Sequence, residues 1–398
     1  IIDPARDPDI YIHAAEEEGF TITGILMTHL HADFISGHID LHERTGAPIY
    51  APKSAACEFL HQPVSDGSRF ILDDCEISVI ETPGHTPEHV SYIVTHLSSG
   101  NEPVALFSGD TLFVGDVGRP DLFPGRAREL AGALYDSLHE KIMKLPDHCE
   151  VYPAHGAGTF CGRSLSAKRT TTIGYERRFN PALQIRDKMA FIHELTSNMP
   201  PSPDHFSRCS DINRRGPALL SSLPPVTGIR PRTVKDLLAK GAYEILDTRR
   251  YDAFGSVHIP KSWNISNESN FPTFAGWVIP PDRDILLVVH SPEEISKIVS
   301  TLRKVGLERI SGYVEKGATG WALAGNVVDH VHTISVHELD RMLHAGEELM
   351  VLDVRTAGEF AGYHIPGSVN IHWPDLRTRC IELPADRQIA VICGTGSR

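Results

Sequence analysis

Histidine and aspartate residues recur in this sequence at spacings that suit a metal ion. Three of them alternate within one short segment, and the others each lie beside a turn rich in glycine, threonine or proline. Imidazole nitrogens and carboxylate oxygens together suit zinc or non-haem iron. The candidate ligands are His29, His31, Asp33, His85, Asp110 and His155.

Short apolar stretches precede most of these candidates. The stretch at residues 22–27 runs directly into the first histidines and predicts a buried strand. Further strands are predicted at residues 77–80, 90–94, 104–107 and 150–152, and helices at residues 8–18 and 127–145. Alternating strands and helices predict an α/β domain whose strand ends carry the metal centre.

The first segment resembles the metallo-β-lactamase signature His-x-His-x-Asp-His, which residues 29–34 match except at the last position. The resemblance implies an αββα sandwich. In that family the last histidine helps to hold a second metal, but Phe34 stands in its place and offers no ligand atom. We therefore predict a centre with one metal.

Two branches of this family remain open as interpretations. In hydrolases such as glyoxalase II, two zinc ions share the six candidates and one further histidine. In persulfide dioxygenases, by resemblance, one Fe(II) is held by His29, His85 and Asp110, a set that leaves positions open for O2 and a thiolate. The other candidates would orient these ligands or bind metal themselves: His31, Asp33 and His155.

Two further stretches resemble persulfide dioxygenases more than hydrolases in general. They are residues 115–122 and residues 153–158. Arg119, in the first stretch, is predicted to bind a substrate carboxylate through two hydrogen bonds. A salt bridge on a surface loop is the alternative interpretation of the same residue.

The second half of the chain contains an internal repeat. Residues 246–265 recur as residues 352–371, a shift of 106 positions (246 to 352), with ten identities in 20 aligned positions and no gap. This similarity indicates a duplicated domain. Each copy alternates strands and helices, which predicts a small parallel α/β fold.

Both copies resemble rhodanese domains through Asp-x-Arg, Phe and His-Ile-Pro-x-Ser-x-Asn-Ile. In active rhodaneses a catalytic cysteine opens a loop that ends in arginine, and the second copy has Cys393 and Arg398 at these places. A glycine-rich loop of this kind can turn its N–H groups inward and stabilise a thiolate. The first copy has His290-Ser291-Pro292 instead, so we predict that it is catalytically inactive.

The predicted architecture is therefore α/β and multidomain. An αββα sandwich at residues 1–199 is followed by a linker at 200–225, an inactive rhodanese-like domain at 226–328 and a second rhodanese domain at 332–398. We expect the second rhodanese domain to continue beyond Arg398. Cys209, in the predicted linker, is a candidate for relaying sulfur between the two centres.

Composition limits the partners and the location. The formal net charge of −13 argues against nucleic acid as a partner, and no apolar run has the ~18 residues of a membrane span. The seven cysteines include no Cys-x-x-Cys pair, so we expect reduced thiols. Together with the absence of a secretory signal peptide, this predicts a cytoplasmic protein.

The combined resemblance implies a persulfide dioxygenase fused to two rhodanese domains, active in sulfide detoxification. The expected substrates are O2 and glutathione or coenzyme A persulfide, with Fe(II) as the metal and sulfite as the product. The second rhodanese domain would form or consume thiosulfate, and we expect the chain to self-associate. The alternative is a zinc-dependent thioester hydrolase of the glyoxalase II type whose rhodanese-like domains serve in docking.

Overall fold

The computed structural model describes residues 1–156, 159–162, 166–197, 199, 201–268 and 270–394. The chain divides into two compact units. One contains residues 1–223 with 304–306, and the other contains residues 224–303 with 307–398. None of the helices in the described ranges is both long and apolar enough to cross a lipid bilayer.

The first unit contains two sheets. Its strands are β1 (Ile25–Leu26), β2 (Ile49–Pro52), β3 (Gln62–Val64), β4 (Arg69–Leu72), β5 (Cys75–Glu81), β6 (Val90–His96), β7 (Pro103–Gly109), β8 (Glu150–Pro153) and β9 (Thr171–Thr172). Strands β1 to β3 form a parallel sheet, and β4 to β9 form a mixed sheet in chain order. Since β5, β7 and β8 run in one direction, their C-terminal ends lie at the same edge.

Helices cover the outer faces of both sheets. They are α1 (Asp9–Glu17), α2 (His38–Thr45), α3 (Ala127–Asp136), α4 (Ile173–Phe179), α5 (Pro181–Gln184), α6 (Lys188–Thr196) and α7 (His205–Arg215). Apolar side chains of α3 and α6 pack on β6 and β7, and those of α1 and α2 pack on the small sheet. A further core lies between the sheets, where Leu26 and Val64 meet Val79 and Tyr92. The predicted αββα sandwich is thus confirmed.

Several predicted element boundaries differ from the structure. The strands predicted at 77–80, 90–94, 104–107 and 150–152 lie inside β5 to β8, and β7 continues to the residue before Asp110. The helix predicted at 127–145 is α-helical only to Asp136. Beyond it the chain forms a wider π-type turn, within which the Ser137 hydroxyl donates to the Pro83 carbonyl at 2.8 Å.

The predicted linker at 200–225 contains a helix that belongs to the first unit. Helix α7 buries Phe206, Cys209 and Asn213 on one face. These positions are three and four residues apart, which is the spacing of one helix face. Proline and serine residues around the helix hide this pattern, and the compact unit extends to Leu223.

The second unit contains two parallel sheets. Its strands are β10 (Gly228–Ile229), β11 (Tyr243–Asp247), β12 (Trp263–Asn264), β13 (Asp284–Val288), β14 (Ile310–Val314), β15 (Leu349–Asp353), β16 (Val369–Asn370) and β17 (Gln388–Ile392). Their orders are β10-β14-β13-β11-β12 and β16-β15-β17. Its helices are α8 (Pro231–Ala239), α9 (Tyr251–Ser256), α10 (Phe271–Val278), α11 (Ile295–Lys304), α12 (Gly317–Leu323), α13 (Val336–His344), α14 (Ala357–Gly362) and α15 (Leu376–Arg379).

The repeated motif has a structural role, because both copies form the same contacts. Arg355 donates to the carboxylate of Asp353, at 2.6 Å for the shortest bond, and to the Tyr363 carbonyl. Asn370 donates to the carbonyls of Asp353 and Arg355, so Asp353, Arg355 and Asn370 form one hydrogen-bonded network. The first copy reproduces every bond with Asp247, Arg249, Val257 and Asn264. This motif therefore identifies the fold of both copies and does not by itself indicate catalysis.

Candidate functional site

The six candidate ligands come together at one edge of the first unit. His29 and His31 follow β1, His85 follows β5, and Asp110 directly follows β7. His155 lies two residues beyond β8. His29, His31, His85 and Asp110 are fully buried. These side chains lie close together near the C-terminal ends of strands, as the sequence predicts.

Three of them direct ligand atoms at one another. The Oδ2 atom of Asp110 lies 3.2 Å from His85 Nε2 and 3.7 Å from His29 Nε2. All three atoms are buried and have no hydrogen-bond partner among the described residues. Buried polar atoms of this kind are rare in proteins and need an explanation. Two imidazole nitrogens and a carboxylate oxygen at these distances fit one metal ion.

Hydrogen bonds behind the two histidines fix their tautomers. His85 donates from Nδ1 to the Arg119 carbonyl at 2.9 Å. The Nδ1 atom of His29 lies 2.8 Å from the Thr28 hydroxyl, which itself donates to Asp3 at 2.7 Å. Since the Thr28 hydrogen is used on Asp3, His29 must carry its proton on Nδ1. Both rings therefore present an Nε2 lone pair to the centre.

The charges of the three groups suit a cation. Burial lowers the pKa of His29 and that of His85, so both rings are neutral. Burial alone would raise the pKa of Asp110, but the nearby His155 imidazole and its hydrogen bond outweigh it and hold this pKa well below its usual range. The set thus offers two neutral nitrogens and one anionic oxygen, the protonation states that metal binding requires.

His155 lies between two carboxylates. Its Nδ1 is 2.7 Å from Asp110 Oδ1, and its Nε2 is 3.0 Å from Asp33 Oδ2. Burial would lower the pKa of His155, but the charges of Asp110 and Asp33 outweigh it and raise that pKa well above its usual value. A protonated imidazole has no lone pair for a metal. In this arrangement His155 acts as a cation between the two aspartates, and the three groups together keep a net charge of −1.

A second cluster of candidate ligands lies beside Phe34. Ligand atoms of His31, Asp33 and His155 lie within 4.8 Å of one another. The Phe34 ring is centred 4.4 Å from the His31 ring and 6.0 Å from the His155 ring. An apolar ring therefore stands beside the position where the family signature has a further ligand.

Arg119 has a different role from the one predicted. Its guanidinium is buried and donates to both Asp121 oxygens, at 2.7 and 2.8 Å, and to the Phe160 carbonyl at 3.1 Å. These bonds occupy the guanidinium N–H groups that were predicted to bind a substrate carboxylate. The alternative interpretation, a salt bridge within the loop, is confirmed by the ion pair with Asp121, although the arginine side chain is 0% exposed and lies below the surface. Its contacts hold the loop that orients His85.

Asn213 was not identified from the sequence. Its side chain donates to the carbonyls of His31 and Phe34, at 2.9 and 2.8 Å, and accepts from the Ser36 N–H at 2.8 Å. Helix α7 thus fixes the segment that carries the candidate ligands. The apolar residues at positions 206 and 209 indicate a helix face. No local sequence pattern shows that Asn213 would bind the backbone of residues 31–36.

Cys209 lies on the same helix and is fully buried. Burial raises the pKa of its thiol. A protonated, buried thiol is a poor nucleophile. The predicted sulfur relay through Cys209 remains a prediction, and it would require this side chain to become exposed.

Cys393 follows β17 directly, as the rhodanese resemblance implies. It packs on a small apolar cluster that includes Leu352, Trp373 and Leu376. Arg398, the predicted catalytic partner, lies outside the described residues. No disulfide joins the cysteines of the described chain.

In the first copy, β13 occupies the place that β17 has in the second copy. There β13 leads into Ser291, whose hydroxyl accepts from the Glu293 N–H and caps a short 3-10 turn. Val289, the residue directly after β13, stands where the second copy has Cys393, and it is a buried apolar side chain. The predicted lack of thiol chemistry in the first copy stays a prediction.

Comparison with known proteins identifies the families of both halves of the chain. A family model of the metallo-beta-lactamase superfamily matches residues 1–155, and a model of the rhodanese-like domain matches residues 230–324 and 335–398. A hydroxyacylglutathione hydrolase of Rhizobium meliloti is 34% identical over 44% of this chain and 74% of its own length. Matches to several further hydrolases of the same name span 54–59% of their length.

Two solved structures are also similar. A metallo-beta-lactamase from Staphylococcus aureus is 34% identical, covers 79% of this chain and 90% of that chain, and has a TM-score of 0.70. ETHE1 from Myxococcus xanthus is 29% identical, with 54% of this chain and 86% of that chain covered and a TM-score of 0.46.

Proposed function

Because this chain belongs to the metallo-beta-lactamase superfamily and carries rhodanese-like domains, we propose that it is a non-haem iron dioxygenase of low-molecular-weight thiol persulfides. Glutathione and coenzyme A persulfide are the proposed substrates. The observation that supports this proposal most is the convergence of three unpartnered ligand atoms, from His29, His85 and Asp110. The Phe34 ring lies against His31 and His155 in the neighbouring cluster.

The ligand set is the reason to propose iron. Two histidines and one carboxylate on a single metal leave several coordination positions open, as in non-haem iron oxygenases. When bound, Fe(II) would supply a centre that binds the substrate thiolate and activates O2. Phe34 and the protonated His155 both disfavour a second cation next to it.

The surrounding residues would prepare the site for an anionic substrate. His29 and His85 remain neutral, with protons held on Nδ1 by Thr28 and the Arg119 carbonyl. His155 holds a proton between the two aspartates and offsets one of their two negative charges. The net reaction is RSSH + O2 + H2O → RSH + SO3²⁻ + 2H⁺. The sulfane sulfur loses four electrons, and O2 gains them.

We further propose that Cys393 transfers sulfane sulfur. A persulfide would donate its outer sulfur to the Cys393 thiolate, releasing the thiol RSH. Sulfite would then attack the outer sulfur of the cysteine persulfide and leave as thiosulfate, which restores the thiol. The reverse sequence would supply persulfide to the iron centre from thiosulfate. The first rhodanese-like copy, with Val289 in the place of Cys393, would be inactive.

The decisive experiment compares metals in the same protein. Metal-free protein is loaded anaerobically with Fe(II) or with Zn(II), and glutathione persulfide is added in an oxygen electrode. We expect rapid oxygen uptake with sulfite formation from the iron form and none from the zinc form. Equal and slow uptake from both forms would overturn the proposal.

A zinc thioester hydrolase is a second candidate. The names of the relatives favour it, since the Rhizobium meliloti protein is a hydroxyacylglutathione hydrolase at 34% identity. The approach of His31, Asp33 and His155 to within 4.8 Å is also compatible with a second ion. Binding of two zinc ions per chain together with turnover of S-lactoylglutathione would support this candidate over the dioxygenase.

A further inference from the structure

His89 lies behind the candidate metal ligands and offers no atom to the metal. It is fully buried, and its Nε2 accepts the backbone N–H of Asp110 at 2.9 Å. Its ring stacks on the His29 ring, with centroids 4.8 Å apart and planes 23° apart. One side chain thus contacts two of the three proposed ligands.

Hydrogen bonds on the far side of the ring fix its tautomer. A backbone N–H can only donate, so Nε2 of His89 carries no proton and Nδ1 carries it. The Nδ1 atom lies 2.9 Å from the Thr82 hydroxyl and 3.1 Å from the Thr111 hydroxyl. The Thr111 hydroxyl donates to the Thr82 carbonyl at 3.2 Å and is therefore an acceptor toward His89.

Gly109 shows how closely this side chain approaches the backbone. Its φ is +53°, a conformation that favours glycine. A Cβ atom at this position would lie 2.4 Å from His89 Nε2 and 2.7 Å from the Thr28 hydroxyl. The residue before Asp110 is therefore held between the two side chains that orient Asp110 and His29.

We propose that His89 is a positioning residue that sets the metal affinity and the ligand geometry of the centre. It anchors Asp110 through the backbone and His29 through ring stacking, so that their ligand atoms converge before the metal binds. This inference rests on the metal-centre part of the proposed function. It does not depend on the reaction that the metal catalyses.

The two contacts of His89 can be separated by substitution. His89→Phe keeps an aromatic ring against His29 but leaves the Asp110 N–H without its acceptor. His89→Gln places an amide oxygen near the position of Nε2 and restores that acceptor. His139→Phe is the matched control, because the His139 ring also lies against an aromatic ring, that of Tyr135, with centroids 4.2 Å apart.

Binding of Co(II) is measured by titration against a competing chelator, and the visible absorption of the bound Co(II) reports its ligand geometry. We expect His89→Phe to weaken binding by about 10–100-fold, as loss of an outer hydrogen bond to a metal ligand does. Its absorption bands should also shift. His89→Gln should recover most of the affinity, and His139→Phe should behave like the wild type.

The outcomes separate the two proposals. If wild-type protein binds Co(II) and His89→Phe binds it equally with an unchanged spectrum, the inference about His89 is overturned while the metal centre stands. If wild-type protein binds no Co(II), both fail. Should His89→Phe not fold, His89→Gln alone tests the ring, because it keeps an acceptor for the Asp110 N–H but cannot stack on His29. A Co(II) spectrum identical to that of the wild type in His89→Gln would then overturn the inference.

Discussion

His85 donates its Nδ1 proton to the backbone carbonyl of Arg119, and the Arg119 side chain is bound in turn to Asp121 and to the Phe160 carbonyl. A proposed metal ligand is thereby connected to two loop segments through one buried arginine. Arg119 therefore helps to fix the orientation of His85.

Arg119→Ala should destabilise the first unit by about 2–3 kcal/mol. Breaking a fully buried ion pair usually lowers the free energy of unfolding by more than this. Asp121, however, is partly exposed, so water can hydrate its carboxylate once the arginine is removed. Urea unfolding followed by circular dichroism measures this change. Asp121→Asn is the matched control, since it breaks the same pair from the other side. A raised KM for glutathione persulfide with unchanged stability would instead support the predicted substrate contact.

Phe34→His should add the ligand that the family signature contains. The new imidazole would join His31, Asp33 and His155, so we expect zinc binding to rise from one ion toward two per chain. Metal analysis after equilibrium dialysis measures the stoichiometry. Phe34→Leu, which adds no ligand atom, should retain one ion. A single zinc ion in both variants would contradict the role given to Phe34.

Asn213→Ala should loosen the segment that carries His31. Its removal leaves two buried carbonyls and one N–H without partners, at a cost of about 2–4 kcal/mol in the free energy of unfolding. Asn213→Asp keeps the acceptor for the Ser36 N–H but loses both donated bonds, so its stability should also fall. Wild-type stability for both variants would show that α7 does not fix this segment.

Acid should weaken the second unit through Asp353. Its hydrogen bonds with Arg355 lower the pKa of Asp353 more than burial raises it. The stability gained is therefore complete above the pKa of an unfolded aspartate, about 4, and is lost as the pH falls through the lower folded value. The difference in unfolding free energy between wild type and Asp353→Asn should shrink below pH ~4.

Tryptophan fluorescence can follow this transition, because all four tryptophans lie in the second unit: Trp263, Trp277, Trp321 and Trp373. Asp247→Asn, the same change in the first copy, is the matched comparison. A difference between wild type and Asp353→Asn that stays constant from pH 7 to pH 3 would contradict the assigned pKa shift.

Cys393→Ser should abolish enzymatic thiosulfate formation and leave oxygen uptake unchanged. The two activities are assigned to different units, and only the thiolate can accept sulfane sulfur. Thiosulfate is measured by chromatography after addition of persulfide and sulfite. Cys380→Ser, which replaces an exposed cysteine of the same unit, is the control. Undiminished thiosulfate formation by Cys393→Ser would refute this division.

The sequence predicted the parts of the centre that follow strands. Asp110 comes directly after β7, and His85 lies four residues after the end of β5, so short motifs locate both. Ligands at C-terminal strand ends are a recurrent arrangement. The duplicated motif could also be recognised in the sequence. The hydrogen-bonded network of Asp353, Arg355 and Asn370 requires the same residue types in each copy.

The contacts behind the ligands could not be predicted in the same way. Asn213 is 182 residues from His31 along the chain, and Arg119 is 34 residues from His85. Such pairs form only after the sheets and helices have packed. The role of Arg119 was misjudged for this reason, since an arginine that binds a substrate and one that ties two loops together look alike in a sequence.

The central claim is that one iron, held by His29, His85 and Asp110, carries a dioxygenase reaction. The most direct test is to measure oxygen consumed and sulfite formed by protein containing one Fe(II) per chain, with glutathione persulfide limiting. We predict one O2 consumed for each sulfite formed, with sulfite and thiosulfate counted together, and loss of the oxygen uptake and of both products in Asp110→Asn. Sulfite formation without oxygen uptake, or thioester hydrolysis with no persulfide oxidation at all, would contradict it.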